Sequence, residues 1–254
     1  MFNMKLKQSI VYFGFLFLMA MISGCVFLRL LEVKRQLNDF NNYFQINDQN
    51  GFSLVFLKPT LRTEDILWLA KRPPTSEEEK DQGKVWTYLF EKDYRGQKDE
   101  EGNFDIPVIM YFQKDKLREI RFPERFLKVL SKPLLARMFE SMGSAEINEW
   151  NRSASSKFEG KDSMEIPKKQ HVTLVLGKPL YNKDSKVDSI FTYKYNLKNN
   201  VTNSKGKQFN LLIKFTFDQV DERLLKVDGN FSRLKVSMDF NIENSDESKT
   251  KISK

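Results

Sequence analysis

Cysteine and histidine are almost missing from this chain of 254 residues, which holds one of each, Cys25 and His171. A single cysteine leaves no intramolecular disulfide to form, and one thiol with one imidazole cannot supply the four ligands of a closed zinc site. Glycine and proline are sparse too, at 11 and 8 residues, so a collagen-like or glycine-rich low-complexity chain is excluded. No glycine-rich phosphate loop and no Gly-x-Ser-x-Gly elbow occurs, which removes the local signatures of P-loop NTPases and α/β-hydrolases. Basic charge is not concentrated in one stretch. The 42 Lys and Arg are interspersed with 34 Asp and Glu, giving a net +8 without the basic patch or arm expected of a nucleic-acid binder.

What is present is apolar and aromatic. With 40% apolar residues the chain can bury a real core, and its length suits one large or two small domains. Phenylalanine is unusually common at 22 residues, beside 8 Tyr and 3 Trp, which favours sheets whose aromatic side chains face a packed layer.

Lys5 and Lys7 precede an uncharged run from Ser9 to Met21, followed by Ile22-Ser23-Gly24-Cys25. A positive start, an apolar segment and small residues before a cut are the three parts of a secretory signal. The last four residues resemble the bacterial lipobox. That resemblance implies cleavage between Gly24 and Cys25, and acylation of Cys25 as the first residue of the mature chain. It also implies that Val26, not being Asp, sends the protein to the outer membrane facing the periplasm, with inner-membrane anchoring as the alternative. A spanning signal anchor is the competing reading, because the apolar run resumes after Cys25.

From Val26 to Phe44, Phe27, Leu30, Leu31, Leu37, Phe40 and Phe44 recur at helical spacing opposite Arg29, Glu32, Lys34 and Arg35, the pattern of an amphipathic helix. A short strand is expected from Phe52 to Leu57. Then an internal repeat begins. A helix from Thr63 to Ala70 ends in Lys71-Arg72-Pro73, and the strand Trp86-Thr87-Tyr88-Leu89-Phe90 follows; a helix from Lys168 to Leu176 ends in Gly177-Lys178-Pro179, and Phe191-Thr192-Tyr193-Lys194-Tyr195 follows. Ile106, Val108, Met110 and Phe112 alternate in the same phase as Leu211, Ile213, Phe215 and Phe217, so each sheet should bury one face and wet the other. The two sheets could join edge to edge or pack through their helices; joining would hide two edges.

The expected fold is α+β: two tandem helix-plus-three-stranded antiparallel sheet modules after a signal peptide and an amphipathic helix. The layout is a lipoprotein signal peptide over 1–24, the lipidated cysteine and amphipathic helix over 25–49, a first module over 50–126, a helix and linker over 127–164, a second module over 165–240, and a disordered tail over 241–254. His171 to Pro179 with Phe191-Thr192-Tyr193 resembles the small outer-membrane lipoproteins of the BamE/SmpA type and the related β-lactamase-inhibitor-like modules. That family has one module where two are expected here.

Chemistry is hard to find. His171 lies on a short helix, its counterpart in the first repeat is Asp65, and packing or surface duty fits it better than general-base or metal duty. The acidic runs Glu77-Glu78-Glu79 with Asp81, and Asp99-Glu100-Glu101 with Asp105, lack the alternating spacing of a calcium loop. Trp86, Tyr88, Phe191, Tyr193 and Tyr195 read as core before they read as a binding surface. The expectation is therefore a non-catalytic protein-interaction or scaffold module in the cell envelope, with no cofactor and no metal, whose partners are the membrane through its acyl groups and an envelope protein, not nucleic acid. The alternatives are an envelope enzyme acting on cell-wall polymer and a lipid or ligand carrier.

Overall fold

A computed structural model of the chain describes residues 26–49, 51–80, 83–95, 103–148, 150–160, 165–198, 210–231 and 234–241. Gly24, Cys25 and the rest of the expected signal peptide lie outside the described residues, as do Asp81, Asp99 to Glu101 and the tail from 242. Helix α1 runs over 26–37 and a single turn, α2, over Phe40–Tyr43. The expected helix to Phe44 is cut short. Phe44 is extended and opens β1 (Phe44–Asn47), because there it faces Phe56 of β2 (Phe52–Phe56) at a ring distance of 5.1 Å inside the core.

Helix α1 turns Leu30, Val33 and Leu37 to the core and is pinned to α3 through Arg29, which meets both Glu64 and Asp65. Arg29 grips Asp65 through two bonds, Nε to Oδ2 at 2.7 Å and Nη2 to Oδ1 at 2.6 Å, and Asp65 has no exposed surface. Asp65 belongs to α3 (Thr63–Ala70), where its Oδ2 also accepts the Arg62 N–H at 2.8 Å. One carboxylate thus caps α3 and holds α1.

The strands then build a single sheet. β3 (Ser76–Lys80) folds back on β4 (Gly83–Lys92); β5 (Ile106–Gln113) and β6 (Lys116–Phe122) follow as an antiparallel hairpin, and β6 pairs with β2. A 3-10 turn over Glu124–Lys128 leads to α4 (Lys132–Gly143), then to β7 (Glu146–Asn148) and β8 (Ser153–Lys157). Helix α5 (Lys169–Leu176) precedes β9 (Tyr181–Asp184), β10 (Asp188–Leu197), β11 (Asn210–Asp218), β12 (Leu224–Phe231) and β13 (Leu234–Asp239). The order across the sheet is β1-β2-β6-β5-β4-β10-β11-β12-β13-β8-β7, with β3 added to β4 and β9 to β10, thirteen strands in all.

This overturns the expected pair of small helix-plus-three-strand modules. The protein has one large mixed sheet and one hydrophobic cluster, which takes in Trp86, Tyr88, Phe112 and Leu117 together with Tyr193, Tyr195, Phe217 and Phe240. The physical reason lies in β3 and β9, which are short. β3 covers only Gly83 to Thr87 of β4, and β9 only Ser189 to Thr192 of β10, so the second half of each long strand has a bare edge. Those two bare edges pair with each other, Phe90 with Leu197, Glu91 with Asn196 and Lys92 with Tyr195. Flanking bonds extend the seam, Asp93 N–H to Lys194 O and Lys198 N–H to Leu89 O, both 2.8 Å.

The segment expected as linker is also sheet. β8 runs parallel beside β13, and Phe158 at its end stacks on Phe240 at 5.0 Å, both buried. The two helices end differently. Lys71 itself adopts the left-handed conformation (φ 55°), whereas Gly177 takes φ 72° with ψ −162°, a region open to glycine alone. Beyond each end a tyrosine locks the helix to its strand: Tyr88 Oη donates to Arg72 O at 3.2 Å and Tyr193 Oη to Gly177 O at 2.9 Å.

Burial pushes the Tyr88 phenol up to about 12, from 10.0, with the charge of Glu77 adding to it. The folded chain therefore holds that proton more tightly than the unfolded chain does. Its contribution to stability is complete below pH 10 and is lost as pH rises towards 12. Denaturation midpoints across that window should fall with pH, and Tyr88→Phe should flatten the slope; equal slopes in both chains would contradict this.

Candidate interaction surface

All the described helices lie on one side of the sheet. The inward residues of β4 and β10 are Trp86, Tyr88, Phe90, Phe191, Tyr193 and Tyr195, each at most 6% exposed, so the sequence's aromatic set is core and presents no binding surface. The alternate residues point the other way. Register puts Thr87, Leu89 and Glu91 of β4 in the same phase as Thr192, Lys194 and Asn196 of β10 and Leu212, Lys214 and Thr216 of β11, with Glu91 directly opposite Asn196 at the seam. These positions are half-buried or exposed, and none belongs to the hydrophobic cluster that takes in the helices.

Towards β8 this face is hollowed. A shallow depression of about 390 Å³ lies over β11, β12, β13 and β8, floored by Ser153, Ser155, Ser237 and Gly229 and rimmed by Lys214, Lys226 and Lys235, with Asp228 the one acid among its lining residues. Short side chains make the hollow. Serines on the two neighbouring strands β13 and β8 leave room that a β-branched or aromatic residue would fill. Lys226 Nζ spends itself on Asp228 Oδ1 at 3.0 Å, and the remaining rim is basic. Sequence reasoning missed this surface because it followed the apolar phase of each strand. The polar phase, Lys214 with Lys226 and Ser153 with Ser155, was the signal available.

The seam between the halves carries the densest polar packing. Lys92 is only 6% exposed and its Nζ lies 4.8 Å from the ring centre of Phe104, 5.1 Å from that of Tyr94 and 5.8 Å from that of Tyr193. Arg125 donates to Val175 O at the end of α5, and to Phe104 O and Asp105 O at the entry to β5, tying a helix of one half to a strand of the other. Burial pushes its guanidinium below the ordinary arginine range. The acids of this region are engaged in holding the seam: Asp105 Oδ1 accepts the Lys92 backbone N–H at 2.8 Å and Asp93 Oδ2 pairs with Lys194 Nζ at 3.1 Å.

His171 has structural work. Its Nδ1 accepts the Lys168 N–H at 3.3 Å at the start of α5, the same task that Asp65 performs for Arg62 at the start of α3. The repeat keeps the acceptor and changes the residue. His171→Ala should cost about 1 kcal/mol, the scale of a lost cap, and His171→Asp should recover it because a carboxylate also suits a helix N-terminus. Urea denaturation of the three chains reads this; a larger loss in His171→Asp than in His171→Ala would contradict it.

Glu77, Glu78 and Glu79 form the exposed strand β3, and Lys84 holds the Glu77 carboxyl below the usual range. Among the described residues no three His, Cys, Asp or Glu side chains gather as metal ligands. On the helix side an apolar cleft of about 140 Å³ opens between the 3-10 turn, α4, α5 and the sheet, walled by residues such as Phe126, Leu130, Met138, Val175 and Phe215. A cavity of about 150 Å³ takes a benzene-sized guest. Among the described residues no helix is long and apolar enough to cross a membrane. Set against protein-family models, curated proteins and solved structures, the chain matches none of them.

Proposed function

We propose that this chain is an exported, lipid-anchored envelope lipoprotein whose open sheet face binds another envelope protein without catalysis. The observation that supports it most is that face: one continuous β surface, uncovered by any described helix, polar along β10 and β11 and basic around a hollow. A partner with a small acidic protrusion would fit the hollow and neutralise its rim. The lipobox at Ile22 to Cys25 supports the anchor, Val26 supports the outer membrane facing the periplasm, and the likeness of residues 171–179 to BamE/SmpA-type lipoproteins points to the same compartment. The cleft on the helix side, with room for a benzene-sized group, suits a lipid carrier poorly.

Photo-reactive residues placed at Thr192, at Lys214 and, as a helix-side control, at Glu124 test the surface in intact envelopes. The first two should cross-link to the same protein and the control should not. Equal cross-linking from all three, or cleavage of purified cell-wall polymer by the isolated chain, would defeat the reading. Independently, Cys25→Ser should leave the precursor uncut and without acyl label when cells are fed a palmitate analogue. Label persisting in that variant would reject Cys25 as the anchor, and an unlabelled native chain that still starts at Met1 would favour a spanning signal.

A further inference from the structure

Five large apolar side chains stand exposed on the two helices that Arg29 joins: Phe27, Leu28 and Leu31 on α1, Leu67 and Trp68 on α3. Leu28 is 65% exposed and Trp68 49%. Arg29 fixes one helix against the other. Its Nη2 lies 2.6 Å from both Glu64 Oε1 and Asp65 Oδ1, so the first turn of α1 sits on the first turn of α3. Leu28 adjoins Arg29 in sequence, and Leu67 and Trp68 lie about one turn, 5.4 Å, along α3 from Glu64. On α1 the exposed three occupy the side away from Val33, Gln36 and Leu37, which face the body.

Position along the chain says what covers this patch. Residue 25 directly precedes α1 in the chain, so acyl groups on Cys25 enter a bilayer within two to three residues of Phe27 and Leu28, at most about 10 Å of chain. A tethered chain cannot keep those side chains far from lipid. Trp68 adds an interfacial feature, since Lys71 Nζ lies 4.4 Å from its ring centre, pairing a flat apolar body with an ammonium that suits phosphate headgroups. Lys34 lies on the outward side of α1 two turns beyond Phe27, giving a second cation facing the same layer.

We propose that this face rests on the headgroup layer of the bilayer, with Trp68 at the boundary between headgroups and acyl chains, so that the sheet is held in a fixed attitude to the membrane. The inference depends on the anchor assigned above. It gives the chain a two-point attachment, one covalent and one through about 5–10 Å of side-chain insertion.

The test uses the full-length chain carrying Trp150→Phe, which removes the 97% exposed tryptophan and leaves buried Trp86 as an unquenched baseline. The protein is reconstituted in phosphatidylethanolamine–phosphatidylglycerol vesicles, with and without lipids brominated near the headgroup end of the acyl chains. Bromination should remove about half of the emission, the share owed to Trp68 at the boundary. Adding Leu28→Lys and Leu67→Lys, both at exposed positions that spare the core, should restore it while circular dichroism stays unchanged. Emission indifferent to bromine overturns the proposal, as does a blue shift that grows with protein concentration in either lipid, which would assign the face to a second copy. The N-terminal mass is read on the same samples. A lipidated chain without quenching leaves the anchor standing and removes the docking; a quenched chain that is uncut and unlipidated does the reverse.

Discussion

Tyr193→Ala is expected to destabilise the protein by about 4 kcal/mol, near the top of the range for a buried aromatic, and to weaken both halves of the sheet at once. Tyr193 has no exposed surface, its ring meets Phe215 edge-on at 5.7 Å, and its hydroxyl is the bond that fixes the end of α5. Alanine leaves a cavity under the seam strand β10 and an unmatched carbonyl at Gly177. Tyr193→Phe keeps the ring and should cost only about 1–2 kcal/mol, the value of one buried hydrogen bond. The stronger part of the expectation concerns cooperativity. Because β4 and β10 share a seam and a core, the emission of Trp86 in the first half and the far-ultraviolet signal of the whole should change together in urea. A Trp86 transition that stays at its wild-type midpoint while the rest unfolds would show two independent units.

Asp65→Ala should cost about 3 kcal/mol, because it removes the fully buried one of the carboxylates on Arg29, which is itself largely buried, and takes the cap of α3 with it. The exposed bond from Arg29 to Glu64 is too weak to compensate. Helix α1 should come loose first. Limited trypsin digestion, which cuts after Arg29, Lys34 and Arg35, should therefore open the variant well before the native chain. Replacing both members, Arg29→Met with Asp65→Leu, should recover much of the loss, since neither a buried charge nor its penalty remains. If the double variant is as unstable as Asp65→Ala, the deficit comes from the cap and not from the lost charge pair.

Elements that bury one face were legible in the sequence. The helix over Thr63–Ala70 and the phase of Trp86, Tyr88 and Phe90 follow from apolar spacing alone, because each inward residue has a packed partner. β3 reads Ser-Glu-Glu-Glu-Lys and β9 reads Tyr-Asn-Lys-Asp, with every residue exposed; these strands exist through backbone pairing and leave no hydrophobic period to follow. β8 is hidden for a related reason, its serines being set by the hollow they floor. The fold class failed at a deeper point. Alternation records which face of a strand is inside but not which strand lies beside it, so the seam of Phe90 to Lys92 with Tyr195 to Leu197 could not be derived. At the candidate surface the same bias applied, since the residues that matter are the polar ones between the aromatic landmarks. His171 shows another limit: compared by residue type it has no counterpart, but compared by hydrogen-bond role it matches Asp65.

At the seam Glu91 faces Asn196, and these are the same position in the two halves, 105 residues apart. Phe90 opposite Leu197 is likewise the mirror of Tyr195 opposite Lys92. A pairing in which a position meets its own counterpart is the contact of a two-fold dimer, in which every substitution is made twice and must suit itself across the axis. Here the axis runs through a single polypeptide, and that obligation is lifted. A lysine can enter the aromatic enclosure on one side while the matching place holds Leu197, and an imidazole can cap one helix while a carboxylate caps the other and grips α1. The matched positions are free to take up different work, one half linking α1 to α3 through Asp65 and the other carrying the basic hollow.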